Sequence, residues 1–300
     1  MFDEATTYEE LFSRTMSRRI KIKRPIHSAQ TPFQKVTVVD TYDYGVTLFL
    51  DNYFQTSERD EFFYHEPLVH PAMLSHPDPR KVLVIGGGDG GTLEEVTRYN
   101  TVETVRMVEL DGEVVKIARE HLRAVCGNAF EDERAELVIG DGRKYVEETS
   151  ERFDVIILDL TDPLEPSKYV YTKEFYELCK NRLRENGILA LHNDSPFFCS
   201  KAFNVISKTL DSVFPHKLQH IGYVVGYMLD FAFAVCSREP LPSLSEEELE
   251  RRLTERGVGE LLYYTPRLHT GMGALPGYAR KILESPCDIS TDAAPYVLEL

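Results

Sequence analysis

Residues 86–91 read Gly-Gly-Gly-Asp-Gly-Gly, directly after the apolar run Val82-Leu83-Val84-Ile85 and directly before a segment with helical spacing. Glycines at such a junction let the backbone turn where side chains forbid it, and let a ligand come close to the main chain. A strand that ends in such a loop and continues as a helix is a repeating unit of an open parallel sheet. The chain beyond it fits that unit. Strand-like stretches at 105–110, 136–139, 155–158 and 188–191 alternate with helical patterns at 92–99, 113–123, 172–183 and 201–213, the order that builds a parallel α/β sheet.

Two final β-rich runs, 218–223 and 227–236, predict an antiparallel finish to that sheet. The expected fold class is therefore α/β, a Rossmann-like, methyltransferase-type doubly wound sheet with a small N-terminal β domain. The latter rests on residues 34–55, two β-rich stretches around a Tyr42-Asp43-Tyr44-Gly45 turn, which predict a hairpin. Pro240-Leu241-Pro242 breaks the chain after the sheet, and Ser245 with Glu248 three residues on has capping-box spacing. Three parts are expected: a hairpin-rich β domain at 1–56, a catalytic domain at 57–238, and a helical extension at 239–300 packed on it.

Composition narrows the function. Thirty-four basic against 49 acidic residues give a net charge of −15, which disfavours nucleic acid as a partner because phosphate neutralisation dominates that recognition. Small cationic ligands fit better, although ordinary solubility explains the same acidity. The basic cluster Arg18, Arg19, Lys21, Lys23 and Arg24 is expected to be a solvated face. No apolar run reaches the roughly 18 residues that span a bilayer, so no membrane contact and a cytoplasmic location are expected. Five widely spaced cysteines without a C-x-x-C pair predict neither a zinc site nor a disulfide framework.

Asp89 inside the glycine loop discriminates between ligands. A carboxylate about 4 Å from a phosphate charge costs roughly 4 kcal/mol at an effective dielectric of about 20, so a dinucleotide is disfavoured. The sign reverses for a ligand with a cationic arm. Asp89 is also well placed to cap the following helix. Glu109, about 20 residues on at the end of the second strand, is expected to bind ribose. Asp141, in Gly140-Asp141-Gly142, and Asp159 end two further strands. Asp159 and Asp162 form a close carboxylate pair that raises one pKa, as a base for an amine requires; an Asx-turn before Pro163 is the other reading of that pair.

These residues, with the block Thr56-Ser57-Glu58-Arg59-Asp60-Glu61-Phe62-Phe63-Tyr64-His65-Glu66 and the run Val108 to Glu113, resemble the polyamine aminopropyltransferases typified by spermidine synthase. The resemblance implies decarboxylated S-adenosylmethionine as co-substrate, no prosthetic group and no metal. Gln34, His65, Gly86, Gly88, Asp89, Glu109, Asp141, Gly142, Asp162 and Pro166 would surround the donor. Glu109 would hold the ribose hydroxyls and Asp141 the adenine amino group. Tyr64 and Asp159 would orient and deprotonate the attacking amine, with Asp162 beside the aminopropyl arm; 5'-methylthioadenosine would be released. It also implies a homodimer or homotetramer.

The acceptor segment departs from the family. Its usual Pro-Thr-Tyr-Pro is replaced by Tyr223-Val224-Val225-Gly226-Tyr227-Met228-Leu229-Asp230. Glycine at the tyrosine position predicts an opened pocket, with Tyr227 and Asp230 as acceptor contacts, and an acceptor among putrescine, agmatine, cadaverine or a triamine such as spermidine. A methyltransferase using intact S-adenosylmethionine is the alternative, since it shares the fold, the loop and the ribose acid.

Overall fold

The computed structural model describes residues 6–13, 16–164 and 167–298. Its first layer is a five-stranded antiparallel meander: β1 (Thr7–Ser13), β2 (Met16–Gln30), β3 (Lys35–Thr41), β4 (Gly45–Leu50) and β5 (Tyr53–Ser57). The expected hairpin is β3–β4. The longer β1–β2 hairpin before it was not foreseen, because its charged residues hide the apolar alternation. Charge holds it instead: Glu9 lies opposite Arg19, and Glu10 opposite Arg18. Arg18 departs from the expected solvated face, since its guanidinium pairs with Glu10 and lies over the Phe54 ring at 5.0 Å.

Helix α1 (Phe62–Ser75) follows, buried from Tyr64 to Ser75 although it contains Pro67 and Pro71. Each interior proline removes a backbone hydrogen bond and argues against a helix, which is why sequence periodicity passes over it. Packing on all sides compensates: Leu68, Val69, Ala72, Met73 and Leu74 are at most 1% exposed.

The second layer is a seven-stranded sheet of β6 (Lys81–Gly86), β7 (Thr104–Glu109), β8 (Ala135–Ile139), β9 (Phe153–Asp159), β10 (Leu183–His192), β11 (His216–Val224) and β12 (Leu229–Ser237), in the order β11-β12-β10-β9-β6-β7-β8. Five strands are parallel and β12 is antiparallel to both neighbours, the expected finish. Fully buried runs such as Val155 to Leu158 explain why these strands were legible. Helices α2 (Gly91–Thr97), α3 (Gly112–His121), α4 (Arg123–Cys126), α5 (Gly142–Glu148), α6 (Lys173–Arg182) and α7 (Ser200–Asp211) cover its faces. The chain reverses direction across the sheet between β6 and β9, so a crevice opens at their carboxyl ends.

The remaining helices, α8 (Glu246–Glu255), α9 (Pro266–Gly271) and α10 (Gly277–Glu284), form the C-terminal part. Ser245 accepts the backbone N–H of Glu248 at 3.2 Å, as the capping spacing predicted. Arg252 and Arg256 donate to the carbonyls of Leu74 and Met73 at the end of α1, at 2.6 and 2.7 Å. Glu66 on α1 accepts three backbone N–H groups, from Leu262, Tyr263 and Tyr264, at 2.6 to 2.8 Å. No helix among the described residues is long and apolar enough to cross a membrane, and all five cysteines are unpaired.

Candidate active site

A cavity of about 680 Å³ opens at the carboxyl ends of β6, β7 and β9 and is closed on its far side by the five-stranded sheet. Its floor is the glycine loop. Gly86 has φ of +83°, and a Cβ there would lie 2.0 Å from the Asp159 carbonyl oxygen on the neighbouring strand, so glycine is required by both conformation and space. Gly87 then donates its N–H to that same carbonyl at 2.8 Å, locking the loop to β9.

Gln34, Tyr64, Gly86, Gly88, Asp89, Glu109, Asp141, Gly142, Asp159, Asp162 and Tyr227 all line this one cavity. Gln34 reaches it because Thr31 and Gln34 both donate to the Asp111 carboxylate, at 2.6 and 3.3 Å, which ties the first sheet to the start of α3. Pro166 lies outside the described residues.

Tyr64 donates its hydroxyl to Asp159 Oδ1 at 2.9 Å. The other carboxylate oxygen, Oδ2, is buried and has no hydrogen-bond partner. Burial, and then the nearby Asp89 charge, raise the Asp159 pKa, so the group is poised to take a proton. Burial also drives the Tyr64 phenol well above its ordinary value, which keeps it a neutral donor. Asp162 is raised by burial as well.

His65 stands behind the wall rather than in it. Its Nδ1 contacts Glu61 at 2.8 Å and its Nε2 lies 3.6 Å from Asp89. Burial alone would lower its pKa, but Asp89 and Glu61 outweigh it and raise the imidazole well above its ordinary value. Asp89 Oδ1 also accepts the Gly91 N–H at 2.9 Å, so the carboxylate caps the first turn of α2 while facing the cavity. Glu109 accepts the Asp111 N–H at 2.8 Å, yet burial pushes it up to about 7. Asp141 accepts the N–H groups of Arg143 and Lys144, at 2.8 and 3.1 Å, and so starts α5.

A row of acids thus stands at the ends of β6, β7 and β9, facing one cavity. Residues 61–245 match the family model described as Spermine/spermidine synthase domain, and residues 7–58 match the Spermidine synthase tetramerisation domain. The chain belongs to the spermine/spermidine synthase family. The polyamine aminopropyltransferase of Nitrosomonas europaea is 41% identical over 258 residues, covering 85% of this chain and 79% of that protein. That of Sulfurisphaera tokodaii is 39% identical over 277 residues, covering 91% and 92%. A crystal structure of spermidine synthase in complex with the transition state analogue AdoDATO is similar at a TM-score of 0.88 and 34% identity, over 94% of this chain and 96% of that one. Spermidine synthase from Thermotoga maritima gives 0.85 and 33%, over 94% and 95%. This member of the spermine/spermidine synthase family is thus an enzyme of the aminopropyltransferase class, which sets the methyltransferase alternative aside.

Two expectations about the acceptor end of this family member need correction. Gly226 opens no pocket: a Cβ there would meet Asp60 Oδ2 and Phe54 Cε1, each at 2.3 Å, and the Gly226 N–H donates to Asp60. Phe54 and Asp60 thus occupy the space into which a side chain at 226 would start. Tyr227, donating to the Gln55 carbonyl at 2.9 Å, supplies an aromatic wall from the next position. Asp230 is not on the cavity wall, because it accepts the Ser195 hydroxyl at 2.6 Å and the Tyr278 hydroxyl.

The acids that do stand at that end were missed. Asp194, just past β10, lines the cavity with φ of +67° and a buried Oδ2 that has no hydrogen-bond partner. Burial, then Asp162, raise its pKa well above the carboxylate range. Glu10, from β1, lines the same cavity, raised by burial against the pull of Arg18. The strand-end rule that singled out Asp159 also finds Asp194; nothing in the spacing of Glu10 signals its position.

Proposed function

We propose that this cavity binds decarboxylated S-adenosylmethionine along the β6–β7 side and an amine acceptor along the β9–β10 side, and transfers the aminopropyl group between them. The reading is carried by Asp159, whose Oδ1 is fixed by Tyr64 while Oδ2 lacks a partner in the wall of an acidic cavity. The nitrogen lone pair of the acceptor attacks the carbon beside the sulfonium. The carbon–sulfur bond breaks with its electron pair going to sulfur, 5'-methylthioadenosine leaves, and the new nitrogen stays a secondary ammonium; the one proton lost, which frees the attacking lone pair, passes from the acceptor's ammonium to Asp159 beforehand.

Sulfonium is already a good leaving group, so the protein's contribution is positioning and removal of a proton from an ammonium with a solution pKa of about 10. Glu109 would take the ribose hydroxyls and Asp141 the adenine amino group. Asp89, backed by His65, would take the donor's ammonium, with Asp162 beside the arm. Asp194, whose buried Oδ2 has no hydrogen-bond partner, would receive the far ammonium of the acceptor, in the role first given to Asp230. Glu10, held by Arg18 and the Phe54 N–H, adds negative potential to the wall. An acceptor with a second cationic nitrogen follows; the length of its chain does not follow from Gly226.

The division at 1–56, 57–238 and 239–300 belongs to this proposal, as does a homo-oligomer, supported by the tetramerisation-domain match at 7–58. Five unpaired cysteines support a reducing, cytoplasmic setting. The test is mass spectrometry of products after mixing the enzyme with the decarboxylated donor and putrescine, cadaverine, agmatine or spermidine. An added aminopropyl mass with equimolar methylthioadenosine is expected; the reading falls if none of the amines gains that mass.

A further inference from the structure

The cavity contains one feature at odds with a cationic ligand. Among the described residues, Arg143 is the single lysine or arginine in its wall. It follows Asp141 and Gly142 directly, in the first turn of α5, on the side of the cavity that the reading above gives to the donor. A free positive charge there would oppose the donor.

The C-terminal tail deals with that charge. Asp292, beyond α10, accepts Arg143 Nη1 at 2.8 Å and Nη2 at 2.6 Å, a two-pronged pair. Asp292 also accepts the Thr172 hydroxyl at 2.7 Å and donates its own N–H to Glu174 at 2.8 Å, so the carboxylate is fixed from both sides. Further along, the Leu298 N–H donates to the Pro163 carbonyl at 3.0 Å, next to Asp162. Glu147 meets the other edge of the guanidinium, its Oε1 accepting Arg143 Nε at 3.0 Å, and Arg143 Nη1 also donates to the Tyr169 carbonyl at 2.7 Å, Tyr169 being itself part of the cavity wall.

We propose that Asp292 is a positioning residue for the transfer reaction, which neutralises and anchors Arg143 so that the donor side of the cavity stays receptive to a cation. The proposal rests on the donor reading above. It assigns part of the C-terminal segment a place in donor recognition.

The test compares Asp292→Asn, Arg143→Gln and the double variant. The asparagine variant should raise KM for the cationic donor by about tenfold, the scale of one exposed-to-half-buried charge contact. Inhibition by methylthioadenosine, the uncharged product that fills the same nucleoside site, should change by less than about twofold. Removing both partners should bring the donor KM back toward the wild-type value, since the guanidinium that only Glu147 would still hold is then gone. The proposal is overturned if Asp292→Asn leaves the donor KM unchanged, if methylthioadenosine binding weakens by the same factor, or if the double variant does not recover. A wild-type enzyme that fails to consume the decarboxylated donor sinks instead the functional reading beneath it.

Discussion

At the scale of single residues, the site gathers carboxyl groups, of which Glu10, Glu109, Asp159, Asp162 and Asp194 are raised by burial, while at Asp89 burial is outweighed by the His65 charge, which holds it below the ordinary carboxylate value. Asp159→Asn keeps an oxygen for Tyr64 yet cannot take a proton, so it is expected to bind the donor normally and lose about 10²- to 10⁴-fold in turnover. Single-turnover rates beside donor binding would check this; near-normal turnover would remove Asp159 as the base. Glu109 titrates at about 7 in the ligand-free protein. Its folded pKa lies above the unfolded one, so the native state holds the extra proton between about 4.5 and 7. This group therefore favours the free protein toward acid pH and opposes it above 7. A cationic donor pulls the other way, drawing the carboxyl into its charged form. Donor KM is thus expected to fall as pH rises through 7, with protons released on binding, measurable by titration calorimetry in buffers of different ionisation enthalpy. Asp89, Glu109, Asp141 and Asp159 were legible because each terminates, or lies just past, a short strand-like stretch rich in apolar residues. Tyr64 and His65 were not, except by resemblance, since they sit on a helix that two prolines disguise.

Among elements, α1 matters most, because it carries Tyr64 and His65 and is held at both ends by the C-terminal part. The Glu66 carboxylate, 1% exposed, satisfies three N–H groups of the segment at 262–264. Glu66→Gln turns an amide donor toward those N–H groups, and a loss of about 3 kcal/mol in unfolding free energy is expected; a denaturant midpoint equal to wild type would contradict it. The parallel strands and the antiparallel finish could be read from strand-like stretches alternating with helical patterns. Helix α5, seven residues beginning at a glycine, is too short to show a period. The β1–β2 hairpin was hidden by its charges, although acids at 9–10 facing bases at 18–19 form a cross-strand pattern that a closer reading of signs would have caught.

For the whole molecule, a net charge of −15 and a cavity walled by acids favour encounter with a multiply charged cation. Raising ionic strength from about 0.01 to about 0.15 M shortens the screening length from roughly 30 to 8 Å, so kcat/KM for the donor should drop several-fold while inhibition by neutral methylthioadenosine stays level. Equal sensitivity of the two would show that long-range attraction plays no part. The acceptor side illustrates where the sequence fell short: Gly226 suggested space, but only the folded chain brings Phe54, far away in sequence, into it.

That crossing of Phe54, Gln34 and Glu10 into the cavity sets a lower bound on the catalyst. The parallel sheet by itself, however stable, would be a bowl with one side missing, open to water where the amine must shed its proton. Attempts to whittle this enzyme to its nucleoside-holding half should yield a binder of the by-product and nothing more.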